Sequence, residues 1–172
     1  MKESTLMNSL LQAPICRGLT EPELATILEI TEETSARHGE WIFKEGDPGD
    51  SLYIVLHGQI DIQKKDRNGG QQQLARIGDG SVIGEMSLIG GHSVRSASAL
   101  AVTDAKLLKI PTARFSQLLA EANLAALKVV HNLAQVMSRR LLLMDEKLVE
   151  MAVGRRKEEL LDFQRILTNW SF

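Results

Sequence analysis

Between Ala36 and Ile110 the chain repeats one pattern, a short apolar or alternating run followed by a turn signal. The turn signals are Gly46-Asp47-Pro48-Gly49, His57-Gly58, Asn68-Gly69-Gly70 and Gly78-Asp79-Gly80. They recur about every ten residues, the interval of an all-β sandwich or barrel rather than of alternating β and α units. The expected strands are Trp41-Ile42-Phe43, Leu52 to Leu56, Ile60 to Gln63, Gln72 to Ile77, Arg95 to Ala101 and Ala105 to Ile110. Ile60-Asp61-Ile62-Gln63 alternates as a half-buried strand does, with successive side chains on opposite faces.

Helical patterns flank this region. Leu6, Leu10 and Leu11 suggest one side of a short helix ending before Pro14. Thr20-Glu21-Pro22-Glu23 reads as a capping box, with proline in the first turn where its missing N–H costs nothing. Leu24, Ile27 and Leu28 then give an i, i+3, i+4 stripe suited to packing on a sheet. After Pro111, Thr112 is a candidate N-cap for Phe115 to Leu119. Past Asn123, the residues Leu127, Val130, Ala134, Met137, Leu141, Met144, Leu148 and Met151 alternate spacings of three and four. That is an a/d heptad seam. Leu133, Leu142 and Leu143 add apolar surface off the seam, enough for the helix to serve both its own domain and a twin. A parallel homodimer through residues 127–151 is therefore expected. The seam is lost at Gly154-Arg155-Arg156-Lys157-Glu158-Glu159, and Leu160, Leu161, Phe163, Ile166, Leu167 and Trp170 form an amphipathic tail.

The chemistry concentrates between Ser81 and Ala101. Gly84 has no Cβ and lets the backbone bend or approach a ligand closely. Glu85-Met86-Ser87-Leu88 after it suits one helical turn, whose free N–H groups would face an anion. Gly84 and Ser87 shape the turn. Arg95 supplies a permanently charged fork for phosphate oxygens, and Ser96 a hydroxyl donor beside it. Glu85 would repel a phosphate but suits a sugar hydroxyl. A phosphate cradle with a neighbouring acceptor for ribose is a nucleotide pocket without a catalytic group.

Gly84-Glu85-Met86-Ser87-Leu88 followed by Arg95-Ser96-Ala97-Ser98 resembles the phosphate-binding cassette of cyclic-nucleotide-binding domains. The Arg-Ser ending is most similar to the catabolite activator type. Gly39 to Asp47, Tyr53 to Gly58 and Ile77 to Gly80 extend the resemblance, which runs roughly from Leu10 to Met151. It implies an α+β fold: a β-roll flanked by N-terminal helices and a long C-terminal dimerisation helix. The expected divisions are 1–35, an N-terminal helical segment; 36–111, the roll with its cassette at 84–96; 112–151, the C-terminal helices; and 152–172, the tail. The implied ligand is cyclic AMP or cyclic GMP, with no cofactor. Leu74 and Arg76 stand on the strand where relatives bury a base or ribose. Matching the Arg139-Arg140-Leu141 run places Met144 and Asp145 where the catabolite activator has two hydroxyl residues that read the base. An ionised Asp145 would favour a donating edge, adenine's amino group or guanine's paired N1–H and N2 amino groups. It is equally readable as a solvated helix charge. Cyclic AMP ranks first and cyclic GMP close behind.

Several classes are set aside. The helix-turn-helix domain of the family's transcription factors needs more chain than 152–172 offers, and the net charge of −2 lacks a nucleic-acid reader's basic excess, so no DNA binding is expected. Cys16 is the only cysteine, which excludes an intrachain disulfide and a four-cysteine cluster. His38, His57, His92 and His131 show no metal-ligand spacing, which counts against a cupin-like metal enzyme. No apolar run suits a signal peptide or a membrane span, and a cytoplasmic location is expected. The two readings left for comparison are a sensor whose tail reaches an effector protein, and a degenerate domain kept for dimerisation.

Overall fold

A computed structural model describes residues 3–66, 68–89 and 94–153. The chain divides into two compact units, residues 1–133 and 134–172. The first begins with α1 (Glu3–Gln12), a 3₁₀ turn (Pro14–Cys16) and α2 (Glu21–Glu29). The strands follow: β1 (Glu32–Ala36), β2 (Trp41–Phe43), β3 (Ser51–His57), β4 (Ile60–Lys65), β5 (Gln71–Ile77) and β6 (Val82–Ile83). A single-turn α3 (Met86–Ile89) separates these from β7 (Ser98–Ala101) and β8 (Ala105–Pro111), and α4 (Thr112–Ala120) leads to α5 (Leu124–Val153).

The strands make two four-stranded antiparallel sheets, ordered β1-β8-β3-β6 and β2-β7-β4-β5. Strand alternation turns Ile60 inward and Asp61 outward. The inner faces bury Tyr53, Val55, Ile60, Ile83 and Leu107 against four alanines, Ala36, Ala99, Ala101 and Ala105. Gly58 is required where β3 turns into β4: its φ is +110°, and a Cβ would lie 2.7 Å from the Asp104 carbonyl oxygen. The roll and its flanking helices are the fold that the turn spacing and the resemblance imply.

The details depart from the sequence reading in four places. β1 is polar, Glu-Glu-Thr-Ser-Ala, and gives no apolar signal because it is an edge strand paired only with β8. The expected strand from Arg95 starts only at Ser98; Arg95 pairs instead with the turn at Gly46–Asp47, its N–H donating to the Asp47 carbonyl at 2.8 Å. Pro111, not Thr112, is the N-cap of α4: Thr112 is already the first helical residue, and its buried Oγ1 has no hydrogen-bond partner among the described residues. On α1, Leu10 is buried while Leu11, one residue or about 100° further round, is exposed.

The α2 capping box forms as read: the Thr20 N–H donates to Glu23 Oε2 at 2.7 Å. Lys128 donates to the same carboxylate at 2.7 and 2.8 Å, and these bonds hold Glu23 below the usual carboxylate range. Asn123 caps α5 through Oδ1, which accepts from the N–H groups of Ala125 and Ala126. The first turns of α5 bury Ala125, Ala126, Val129 and Leu133. Asn132 donates to the carbonyls of Ile15 (3.0 Å) and Arg17 (2.8 Å), satisfying backbone groups that the helix would otherwise strand.

The described part of the second unit continues α5 to Val153. Leu127 in the first unit and Leu141, Met144 and Leu148 in the second, all seam positions, are exposed, and so are Leu142, Leu143 and Val149. The tail from Gly154, with Arg155-Arg156-Lys157 and Leu160 to Trp170, lies outside the described residues. Among the described residues, no helix is long and apolar enough to cross a membrane.

Candidate functional site

Arg95 is the centre of the site. The chain reaches it through the turn pairing at Gly46–Asp47, which keeps it off the sheet and lets its side chain fold inward. Only 4% of the residue is exposed. Nη1 donates to the Ser51 carbonyl at 2.6 Å and, at longer range, to Ser87 Oγ (3.3 Å) and the Gly84 carbonyl (3.4 Å). Nη2 reaches Ser51 Oγ at 3.3 Å and Asp50 Oδ1 at 3.4 Å. Nε is buried and has no hydrogen-bond partner among the described residues. The guanidinium carbon sits 4.4 Å from the centre of the Phe43 ring and 5.8 Å from that of Tyr53. Burial pulls the Arg95 pKa down, partly offset by Tyr53 and by the carboxylates of Asp50, Asp47 and Glu85.

Gly84 lies against this guanidinium in a left-handed turn, φ +75°. A Cβ there would fall 2.5 Å from Arg95 Nη1 and 3.0 Å from the Ser51 carbonyl, so both conformation and space require glycine. α3 begins two residues later. It carries Ser87, buried beside Arg95, and Met86, exposed, whose Sδ accepts from Ser96 Oγ at 3.3 Å. Glu85 is half-buried between Gly84 and Met86. Gly84, Glu85, Met86, Ser87 and Ser96 are therefore gathered around the Arg95 side chain. Residues 90–93 of the cassette, His92 among them, lie outside the described residues.

Two other sequence candidates, Arg76 and Leu74, sit elsewhere in the first unit, and two, Met144 and Asp145, belong to the second. Arg76 pairs across the ladder with Asp61, whereas Ile60 and Ile77 next to them face the core, so Arg76 lies on the outer face. Its Nε and Nη2 donate to Asp61 Oδ1 (2.6 Å) and Oδ2 (2.9 Å), and Gln73 adds a third bond at 3.1 Å. The Arg76 hydrogen bonds push the Asp61 carboxyl below its usual range. Leu74 falls where the β4–β5 register shifts, and is exposed. Met144 and Asp145 are exposed on α5 in the second unit.

Asp50, Ser51, Phe43 and Tyr53 also surround the Arg95 guanidinium, and none of them is among the sequence candidates. Asp50 and Ser51 follow a turn signal whose chemistry looked exhausted by turning. Phe43 and Tyr53 looked like core. The available clue was the acidic, hydroxylated end of that turn, since Asp50-Ser51 opens the strand that carries Tyr53. Among the described residues no three His, Cys, Asp or Glu side chains are placed to hold a metal ion.

A roll of strands that buries a permanently charged guanidinium, with a glycine turn against it, has the chemistry to hold an anion. The chain belongs to the cyclic nucleotide-binding domain family, whose model matches residues 33–122. The cyclic AMP receptor protein of Thermus thermophilus is 35% identical over 129 residues, covering 75% of this chain and 57% of that protein. A cGMP-dependent protein kinase of Caenorhabditis briggsae is 29% identical over 53% of this chain and 11% of its own length. The chain thus spans little more than half of the first relative and a small part of the second. The crystal structure of a cyclic nucleotide-binding domain from Methylobacillus flagellatus matches with a TM-score of 0.75 at 26% identity, over 86% of this chain and 83% of that one. The cupin-like enzyme reading has no support in this family match.

Proposed function

We propose that this chain senses a cyclic nucleotide, with Arg95 as the ligand for the cyclic phosphate. The observation that carries the reading is the buried Arg95, whose Nε has no partner among the described residues. A buried donor without an acceptor costs free energy, and a phosphate oxygen supplies the missing acceptor. The carboxylate that does reach the guanidinium, Asp50, is 3.4 Å away and its side chain is 67% exposed, so it neutralises the charge weakly. Ser96 and the turn at Gly84–Ser87 supply the remaining phosphate donors, and Glu85 accepts the ribose 2′-hydroxyl. Met144 and Asp145 are the candidates for reading the base, whereas Arg76, paired with Asp61 on the outer face, and the exposed Leu74 are left out of the contact. Cyclic AMP is the first candidate and cyclic GMP the second; relatives named for each nucleotide match this chain.

The exposed seam of α5 supports a homodimer through residues 127–151, and we read α5 as the relay. Phosphate binding draws the 84–96 cassette inward, α5 repacks, and the 152–172 tail is repositioned for an effector protein. Only a difference in ligand affinity between the two arrangements drives such a shift. The compartment is cytoplasmic in this reading. Burial pushes the single thiol, Cys16, up to about 12, which makes it chemically inert.

One observation favours the rival, a domain retained for dimerisation alone: Arg95 spends its shortest bond on the protein's own Ser51 carbonyl. Titration calorimetry with cyclic AMP and cyclic GMP separates the two. Heat with the wild type and none with Arg95→Ala supports sensing. Silence from both proteins supports the rival. Sedimentation of Leu141→Glu tests the dimer, which that charge on the seam is expected to dissociate.

A further inference from the structure

A guanidinium at 4% exposure normally has a carboxylate locked to it in a two-pronged pair. Arg95 has none at short range among the described residues: its contact with Asp50 is 3.4 Å. Its short bond goes to a neutral carbonyl, and one flat face lies over Phe43, with Tyr53 further off. The two rings themselves pack together, centroids 5.9 Å apart and tilted by 30°. A ring face attracts a cation through its quadrupole, more strongly when water is excluded. It does so without placing an acceptor on Nε, the one guanidinium nitrogen with no hydrogen-bond partner among the described residues, so that N–H is left for an anion. A carboxylate in the same place would compete with the ligand.

We propose that Phe43 is a positioning residue for phosphate recognition: its ring, backed by Tyr53, stabilises and orients the buried Arg95 charge in place of a carboxylate. This rests on the cyclic nucleotide reading above. It also assigns a role to a residue that otherwise looks like part of the apolar core, where Phe43 packs against the buried cluster.

The test keeps the shape of the ring and drains its face. Phenylalanine carrying one, two and three fluorines is placed at position 43, and affinity for cyclic AMP and cyclic GMP is measured by calorimetry. Affinity is expected to fall stepwise with each fluorine, reaching roughly 5- to 10-fold at three, while thermal stability changes little. Phe43→Leu should lose about as much as the most fluorinated ring, and Phe43→Tyr should bind within about twofold of the wild type. An affinity that stays flat across the fluorine series overturns the proposal, since packing alone is blind to fluorination at this level. If the wild type gives no heat with either nucleotide, the nucleotide reading itself fails and takes the proposal with it. Wild-type binding with a flat series sinks only the role of Phe43.

Discussion

Arg95 and Arg76 carry the same charge on the two sides of one β-roll, in opposite circumstances. Arg76 is 52% exposed and is neutralised by a two-pronged pair with Asp61, itself 95% hidden behind it with 5% exposure. Arg95 is buried, meets a distant and solvated carboxylate, and keeps one donor unused. Burial alone would suggest that the hidden arginine is the structural one. The partners say the reverse: a paired charge is complete, and an incompletely paired one retains affinity for an anion.

The largest expected effect is on ligand affinity at Arg95. Arg95→Ala should weaken cyclic nucleotide binding by about 30-fold or more, the consequence of losing roughly 2–5 kcal/mol when one partner of a buried charge contact is truncated. Arg76→Ala should leave that affinity within about twofold, as substitutions away from a site usually do. Equal losses at both positions, read by calorimetry, would break the comparison.

Gly84→Ala comes next. The new Cβ meets the Arg95 guanidinium, and the left-handed turn is strained for any other residue. Displacing the guanidinium should weaken binding about tenfold, with about 1–3 kcal/mol lost from stability in urea unfolding. A variant as stable and as tight as the wild type would mean that Arg95 need not sit against the turn.

Smaller effects belong to the outer face. Arg76→Ala leaves Asp61 hidden without its main partner, so the urea midpoint should fall while binding holds. The same pair sets an acid response. The Asp61 pKa is lowered on folding, chiefly by its hydrogen bonds from Arg76. Its stabilisation is therefore complete above the ordinary carboxylate value of about 3.9, and is lost as pH falls through the lower folded value. Arg76→Ala should remove that part of the acid limb in a pH series of unfolding curves. An unchanged limb would show that the pair contributes nothing.

The roll was legible because its signals are local. Gly58 and Gly84 announce turns, Ile60 to Gln63 alternates, and Thr20 with Glu23 spells out a cap within one helical turn. β1 was not legible, because an edge strand that buries only Ala36 needs no apolar pattern. The strand before Ser98 was over-read for a related reason. Arg95-Ser96-Ala97 has strand composition, but the backbone bonds of Arg95 go to a turn far earlier in the chain, at Gly46 and Asp47. At the site, the cassette residues declared themselves by type and order. Phe43 and Tyr53 did not, since an aromatic on a strand reads as core whether or not a guanidinium lies over it.

The amino-acid order by itself determined that this chain makes a roll of short strands with a glycine turn, one arginine after it, and a long helix with an apolar seam. It could not determine which arginine would be left wanting an anion. That depended on which acids and rings arrive beside each one: Asp61 from the neighbouring strand for Arg76, and Phe43, Asp50, Ser51 and Tyr53, far earlier in the chain, for Arg95. Charge is a property of a residue, but its compensation is a property of neighbours, and only the folded sheets choose the neighbours.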